Sequence, residues 1–280
     1  MKGSNKRLLG NCHHEPVSID NTMNNKSSSN TGSPLSPLQG VRGYMNWSGG
    51  KDSSLCLHYI QQDNRYQVDC LLTSVNAAHD RISMHGVRRS LLEAQAASIG
   101  LPLQTIELPE QPGMQEYEQA MLHQVTALKN QGYSHAVFGD IFLEDLKRYR
   151  EEKLAAMDIQ CVFPLWKIPT SQLMHEFLDA GFKAIIVCVN TKFLDKSFCG
   201  RLIDESFVRD LPADVDVCGE NGEYHSFVFD GPIFKNPVPF TKGDIVYRTY
   251  QAPQNAQDSC NPMNQASEYG FYFCDLLPNN

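Results

Sequence analysis

YMNWSGGKDSSLCLHY, residues 44–59, runs from a short apolar segment through SGGKDS (48–53) into a pattern typical of a helix. Glycines at a strand-to-helix turn let backbone N–H groups approach an anion without a side chain in the way. Ser48 and Ser53 add hydroxyl donors, Lys51 adds a positive charge, and the following helix presents the positive end of its dipole. The stretch therefore predicts a site for a pyrophosphate group.

The pattern of this turn differs from two better-known phosphate-binding loops. A Walker A loop would have glycine where this chain has Met45, and Ser or Thr where it has Asp52. The GxGxxG pattern of dinucleotide-binding proteins does not fit the stretch either. A lone Gly-Gly-Lys is more often a glycine turn with a solvated lysine, but the whole SGGKDS run between strand and helix favours a binding function.

Strand-like and helix-like segments alternate through the middle of the chain. Apolar runs predict strands at 44–47, 68–75, 103–108, 135–141 and 183–189, and the segments between them predict helices at 54–62, 87–99, 114–130, 145–157 and 171–180. This alternation predicts an α/β fold built on a doubly wound parallel sheet with right-handed crossovers. Ligands bind beyond the carboxyl ends of such strands, where the SGGKDS turn would lie.

The composition changes at both ends of the alternating region. Residues 1–42, rich in Ser, Asn, Pro and Gly, predict a disordered tail. A larger domain is expected over 43–168, and a smaller α+β domain over 169–250, with short strands at 214–217, 226–229 and 244–250. Residues 251–280 are expected to form a C-terminal tail in which only 269–274 is apolar enough to dock.

Composition also argues against several classes of protein. The nine cysteines are odd in number and include no CxxC pair, which speaks against a disulfide framework or a zinc ribbon and predicts a cytoplasmic protein. No apolar run is long enough to span a bilayer. The net charge of −8 argues against broad nucleic-acid binding, which needs clustered Lys and Arg.

Four stretches carry a resemblance to a known family. SGGKDS matches the signature of the PP-loop (N-type) ATP pyrophosphatases, whose members have a parallel α/β fold and cleave ATP between its α and β phosphates. MHGVR (84–88), GDIFLED (139–145) and CGENGEYH (218–225) are similar to the diphthine–ammonia ligase family within that group, also called diphthamide synthases. The resemblance covers residues 44–235, and it makes 43–168 the expected PP-loop ATP-binding domain and 169–250 the expected substrate domain.

The resemblance implies an ATP-dependent ligase that forms an amide. ATP, with Mg²⁺, would adenylate a carboxylate, and ammonia would then displace AMP. In the family's namesake the carboxylate belongs to diphthine, a modified histidine of elongation factor 2. The implied partners are therefore this carboxylate substrate and free ammonia, with a homodimer as a further expectation and no membrane or nucleic-acid partner.

The resemblance also implies roles for individual residues. The implied catalytic residues are Lys51, Asp140, Glu220 and Glu223. The implied ATP-binding residues are Ser48, Gly49, Gly50, Lys51, Asp52, Ser53, Ser74 and Gly139. The implied substrate-binding residues are Glu144, Asp145, Arg150 and Asn221, while Asp52 or Asp140 would hold Mg²⁺. Trp166 would offer its π face to a cationic group of the substrate.

Plainer interpretations stay open for several of these residues. Glu220 and Glu223 flank an Asn-Gly turn and would then be solvated glutamates of a hairpin. The charges at 144, 145 and 150 would be ordinary helix-start and i,i+4 groups, and Trp166 an ordinary core residue. For the whole chain, the alternatives are a PP-loop ligase for a small-molecule carboxylate or for tRNA, and an adenine-nucleotide sensor that never releases pyrophosphate.

Overall fold

A computed structural model describes residues 40–82, 85–110, 112–251 and 268–279. Most of the predicted N-terminal tail, at 1–39, lies outside the described residues. The segment 252–267 of the predicted C-terminal tail and Met84 of the MHGVR stretch lie outside them as well.

The first sheet contains four of the five strands that the alternating pattern predicted, together with two short strands, Arg81–Ile82 and Gln160–Val162, that it did not predict. Its strands are β1 (Val41–Asn46), β2 (Tyr66–Asn76), β3 (Arg81–Ile82), β4 (Leu103–Leu108), β5 (His135–Val137) and β6 (Gln160–Val162). The parallel strands lie in the order β4-β2-β1-β5-β6, and β3 runs antiparallel to the end of β2. Because the chain winds outward from β1 in both directions, the sheet is doubly wound, as predicted, and its switch point lies at the carboxyl end of β1.

Helices cover both faces of this sheet. The helices of the described residues are α1 (Lys51–Gln62), α2 (Arg89–Ile99), α3 (Met114–Asn130), α4 (Glu144–Ala155), α5 (Thr170–Asp179) and the short α6 (Glu205–Asp210). Tyr44 and Met45 are both fully buried in β1, but they belong to two different hydrophobic clusters on opposite faces of the sheet. This double burial explains why two consecutive residues of β1 are both apolar instead of alternating with polar ones.

The second sheet is antiparallel. It contains β7 (Lys183–Asn190), β8 (Tyr224–Asp230), β9 (Phe240–Gln251) and β10 (Glu268–Pro278) in the order β8-β7-β10-β9. The run 183–189 is thus a strand, but it does not extend the parallel sheet as the alternating pattern suggested. Residues 214–217 form a turn instead of the predicted strand, because the Asp216 carboxylate accepts hydrogen bonds from the backbone N–H groups of Cys218 and Glu220.

The C-terminal residues that were expected to be a tail complete this second sheet. β10 pairs with β9 along its length and with β7 through Phe271, Tyr272 and Phe273. The apolar 269–274 run therefore docks between two strands of the sheet and becomes one of its interior strands.

The cysteines of the described ranges are all free thiols, at positions 56, 70, 161, 188, 199, 218 and 274. Most of them are buried, where cysteine packs as a small hydrophobic residue. Among the helices of the described ranges, none combines the length and the apolar character needed to cross a bilayer.

Candidate active site

The turn between β1 and α1 is internally hydrogen-bonded, and we call residues 48–53 the PP-loop. The Ser48 hydroxyl accepts a hydrogen bond from the Gly50 N–H at 3.3 Å and lies 3.1 Å from the Ser53 hydroxyl. The Ser53 hydroxyl donates to the Gly50 carbonyl at 3.0 Å. Gly49 has a φ of 76°, in the left-handed region that favours glycine. No side chain caps the start of α1, which leaves this helix end suited to an anion.

The PP-loop is held from outside by α2 and by the second sheet. The Gln95 amide, fully buried, donates to the Gly49 carbonyl at 3.0 Å and accepts from the Trp47 indole N–H at 3.0 Å. The Val228 N–H donates to the same Gly49 carbonyl at 2.9 Å. The Lys51 N–H donates to the Ser226 hydroxyl at 3.1 Å. Strand β8 thus fixes the loop conformation.

A cavity of about 1,100 Å³ opens at this edge of the first sheet. Ten of the predicted site residues line it: Ser48, Gly50, Lys51, Asp52, Ser53, Ser74, Gly139, Asp140, Arg150 and Glu220. They come from the turn after β1, from α1, β2, the segment after β5, α4 and the loop before β8. The topology therefore brings together residues that lie up to 172 positions apart, from Ser48 to Glu220.

Lys51 is the buried cation of this site. Its side chain is 5% exposed, and its ammonium lies 2.5 Å from a carboxylate oxygen of Asp52 and 4.0 Å from one of Glu220. Burial lowers the pKa of Lys51, but the neighbouring carboxylates, Asp52 first, raise it well above its ordinary value. The ammonium therefore stays charged, as a group that neutralises phosphate must.

Asp52, Asp140 and Glu220 form an acidic cluster around this lysine. Burial raises the pKa of Asp140, the Arg150 guanidinium lowers it, and the Asp52 charge raises it again, so that the net shift is upward. Burial, followed by the Asp52 charge, raises the pKa of Glu220 to about 8 against the pull of Lys51. Ionisation of all three carboxyls at once is thus disfavoured, and near neutral pH Glu220 is largely protonated.

The donor set fits Mg²⁺ bound together with phosphate. Within the described ranges, no group of three or more His, Cys, Asp or Glu side chains converges as a metal site. Mg²⁺ in nucleotide enzymes takes one or two carboxylates and completes its shell with phosphate oxygens and water. Asp52 and Asp140 supply two carboxylates whose charges disfavour each other, and a divalent cation between them would relieve that repulsion.

Glu223 does not face the cavity, although the resemblance placed it among the catalytic residues. It is fully buried, and its carboxylate accepts hydrogen bonds from the backbone N–H groups of Asp216 and Asn221 at 3.0 and 2.8 Å and from the Asn221 amide at 3.0 Å. Glu223 and Asn221 therefore shape the loop that presents Glu220. Neither glutamate is the solvated hairpin residue of the plainer interpretation.

The acidic pair at the start of α4 also stands away from the cavity. Glu144 pairs with Lys167 at 2.8 Å and Asp145 with Arg148 at 2.6 Å, and all four side chains are largely exposed. These are ordinary surface ion pairs. Arg150, one turn further on, reaches the site through its ion pair with Asp140.

The indole of Trp166 is not a free π face. The Lys147 and Lys167 ammonium groups lie 5.5 and 5.9 Å from the centre of its ring. The described residues that line the cavity do not include Trp166. The predicted contact with a cationic substrate group therefore has no support from the structure.

A pair of histidines forms a further wall of the cavity. The rings of His85 and His225 stack with centroids 4.6 Å apart. Burial lowers the pKa of His85 to about 4 and that of His225 to about 3, so both rings are neutral. The His85 Nδ1 lies 3.3 Å from the Ser226 carbonyl, which can only accept, so Nδ1 carries the proton and Nε2 is an acceptor.

Sequence reasoning missed Ser226 and the role of Gln95. Ser226 lies in a β-strand with no signal beyond one small polar residue among apolar ones. Gln95 did leave a signal, because it stands on the apolar face of α2, where a buried amide must find partners. Both residues act on the PP-loop backbone rather than on a ligand.

A glycine turn at the switch point of a doubly wound sheet, with a buried lysine and facing carboxylates, defines a PP-loop nucleotide-binding protein. Two family models match the chain: the diphthamide synthase N-terminal domain over residues 41–156 and the diphthamide synthase C-terminal domain over 169–252. The chain belongs to the diphthamide synthase family, as its motifs predicted.

Relatives with curated names agree with this family. A "Diphthine--ammonia ligase" from Danio rerio is 28% identical over 68% of this chain and 83% of its own length. Proteins of the same name from Bos taurus and Homo sapiens are 30% and 29% identical over 39% of this chain, and the matched part spans 43% of each. A U34-tRNA thiolase from Methanococcus maripaludis with its [4Fe-4S] cluster aligns over 50% of this chain at a TM-score of 0.33 and 18% identity, too weakly to support an argument.

Proposed function

We propose that this chain is an ATP-dependent ligase that joins ammonia to a carboxylate through an acyl adenylate. The observation that carries the proposal is the buried Lys51 ammonium, which lies at the turn of the PP-loop beside an acidic cluster and a cavity of about 1,100 Å³. Family membership supports the reaction class, because the curated relatives are named for a ligase that uses ammonia.

The first half-reaction breaks ATP between its inner two phosphates. A carboxylate oxygen attacks the α-phosphorus, the bond to the bridging oxygen breaks, and pyrophosphate leaves. The Ser48 and Ser53 hydroxyls and the PP-loop backbone hold the outer phosphates, and Lys51 neutralises the charge that develops on them. Asp52 and Asp140 would hold Mg²⁺, which supplies further positive charge against the phosphates.

The second half-reaction needs neutral ammonia. Ammonia attacks the acyl carbon, the acyl–oxygen bond breaks, AMP leaves, and the new amide loses one proton. Glu220 is suited to bind the incoming ammonium and take its proton, because a carboxyl with a pKa of about 8 is a stronger base than an ordinary glutamate. The hydrogen bonds of Glu223 to the backbone of Asp216 and Asn221 hold the loop on which Glu220 lines the cavity.

The substrate that we propose is the diphthine carboxylate of an elongation factor. The name of the curated relatives supports it. The acidic cluster supports it as well, since the cationic group of a diphthine side chain would pair with Asp140 and would favour the charged form of Glu220. A small-molecule carboxylate is the alternative that uses the same chemistry.

The test is formation of AMP and pyrophosphate by the purified chain. ATP, Mg²⁺ and ammonium are supplied with diphthine-modified elongation factor, with the unmodified factor, or with a pool of carboxylate metabolites. The expected result is AMP and pyrophosphate in equal amounts with the modified factor alone. Turnover with a metabolite instead would show that the substrate is a small-molecule carboxylate and not diphthine. ATP binding without pyrophosphate release under every condition would refute the proposed ligase activity.

Lys51→Ala provides the site control. AMP formation should fall about 100-fold or more, since one preorganised charge at developing negative charge is worth that much. The matched control is Lys129→Ala. Lys129 lies near the end of α3, its ammonium pairs with the exposed Asp158, and its replacement should leave the rate unchanged.

A further inference from the structure

The C-terminal strand reaches the candidate site although it lies outside both family matches. Those matches end at residues 156 and 252, whereas β10 comprises Glu268–Pro278. β10 lies between β7 and β9, and its pairing with β7 sets Phe273 opposite Cys188. Two side chains of β10 lie against Arg81 in β3 and against Gly86 and Arg88, which follow it.

Asp275 is the first of these side chains. Its carboxylate accepts from the Arg81 guanidinium at 2.9 Å and from the Arg88 guanidinium at 2.6 and 3.2 Å. Burial raises the pKa of Asp275, but the hydrogen bonds from Arg88 and Arg81 bring it below its ordinary value, so the group is ionised. One carboxylate thus joins Arg81 to Arg88.

His85 lies between Arg81 and Arg88 in the sequence. Arg81 also donates to the Gly86 carbonyl at 2.6 Å, and Arg81 and Arg88 form an isolated antiparallel bridge. Phe273 is the second β10 side chain: its ring edge would lie 3.1 Å from a methyl group placed at Gly86, closer than an ordinary contact, and the φ of 67° at Gly86 also favours glycine. The residue next to His85 is therefore held by a charge contact and by an aromatic ring.

His85 in turn lies against the PP-loop. A methyl group at Gly50 would be 3.1 Å from the His85 Cε1 and 3.1 Å from the Ser226 carbonyl. The His85 ring also stacks on His225, and both rings line the cavity. Any movement of His85 and Gly86 therefore changes the wall of the cavity beside the PP-loop.

We infer that Asp275 is a positioning residue of the active site, which acts through Arg81 and Arg88 to hold His85 against the PP-loop. The C-terminal strand supplies this contact, so that residues beyond the matched family domains complete the site. The kinetic part of the test rests on the proposed ligase activity, whereas its structural part does not.

The experiment replaces Asp275 in the full chain by Asp275→Asn, which keeps the size of the side chain. The ring-nitrogen NMR shifts of His85, assigned with a His85→Asn variant, report its tautomer without any turnover. We expect them to move from the Nδ1-protonated form toward a mixture of tautomers. In parallel, kcat/KM for ATP should fall about 10- to 100-fold, as expected when a site is misplaced by a fraction of an ångström to about 1 Å.

The matched control is Asp244→Asn on the neighbouring strand β9, where the side chain is exposed; shifts and kinetics should stay as in the parent chain. Arg88→Gln should reproduce part of the Asp275→Asn effects, and the double variant should be no worse than Asp275→Asn alone, because Asp275→Asn already removes the contact with Arg88. If Asp275→Asn does not fold, Arg81→Gln provides a second test. It removes the contacts of Arg81 with Asp275 and with the Gly86 carbonyl, and it keeps the Arg88–Asp275 pair, which should let the chain fold.

Unchanged His85 shifts together with an unchanged kcat/KM in the folded variants would overturn the inference. A chain that forms no AMP with any substrate would refute the proposed function alone, because the NMR measurement would still decide whether Asp275 positions His85.

Discussion

The backbone N–H of Lys51 donates to the hydroxyl of Ser226 at 3.1 Å, across 175 residues of sequence. Lys51 begins the helix after the PP-loop, and Ser226 lies in the second sheet. The phosphate-binding turn is therefore shaped by a strand from a different part of the chain. Variants of the contacts between the two should change nucleotide binding and stability together.

Ser226→Ala should lower both the free energy of unfolding and the affinity for ATP. The Lys51 N–H loses its partner, and a buried donor left without one costs about 1–3 kcal/mol. Urea unfolding measures the stability, and the KM for ATP should rise because the turn is no longer held. Ser197→Ala, at a surface turn, is the matched change and should alter neither quantity. An unaltered KM in a destabilised Ser226→Ala chain would show that this hydrogen bond serves stability only.

Gln95→Met should distort the PP-loop from its other side. Methionine has a similar size, but it leaves the Trp47 indole N–H without its acceptor and removes one donor from the Gly49 carbonyl. We expect a loss of about 1–3 kcal/mol in unfolding free energy, together with a red shift of Trp47 fluorescence as its environment loosens. Gln124→Met, a half-buried residue on α3, provides the comparison. A Gln95→Met chain as stable as the parent would contradict this account.

Glu220 should make stability depend on pH. Its pKa is raised from 4.5 to about 8, chiefly by burial and then by Asp52. Between these values the folded chain binds more protons than the unfolded one. The contribution of Glu220 to stability is therefore full below about 4.5 and is lost as the pH rises through about 8. The Glu220→Gln variant lacks this titration. The unfolding free energy of the parent should therefore fall relative to that of Glu220→Gln as the pH rises from about 4 to about 9. A constant difference across that range would mean that Glu220 has an ordinary pKa.

Asp140→Asn should raise the Mg²⁺ requirement of AMP formation. The variant keeps the shape of the side chain but removes one of the two proposed carboxylate ligands, and it leaves Arg150 without its ion pair. We expect the Mg²⁺ concentration for half-maximal rate to increase about 10-fold or more. Asp158→Asn, an exposed residue after α4, should keep the parent requirement. An equal Mg²⁺ requirement in Asp140→Asn and the parent would exclude Asp140 as a ligand.

The parallel half of the fold and the family could be predicted from the sequence, because both depend on residues that are close together along the chain. Strand–helix alternation follows from short-range apolar patterning, and SGGKDS is a contiguous motif at one turn. The fold class and the family were confirmed. Lys51, Asp52, Asp140 and Glu220 do meet at one cavity, whereas their chemical roles stay predictions.

The second sheet was harder to predict because antiparallel pairing between distant strands leaves no local period. β10 comes from a stretch that composition assigned to a tail, and nothing in its own sequence shows that it pairs with β7. The position of Glu223, away from the cavity, was hard to predict for a related reason. A motif states which residues stand together, but not which of two glutamates, Glu220 or Glu223, turns inward to bond the backbone.

Local chemistry along the chain thus determined a phosphate-binding turn at the end of a strand, together with the lysine and carboxylates that serve it. Only tertiary structure decided that Gln95 and Ser226 form hydrogen bonds with this turn and that Asp275 pairs with Arg81 and Arg88. Their contacts join residues 46 to 194 positions apart, from Gln95 with Gly49 to Arg81 with Asp275. The physical reason is that a hydrogen bond or an ion pair requires proximity in space, which chain folding alone creates.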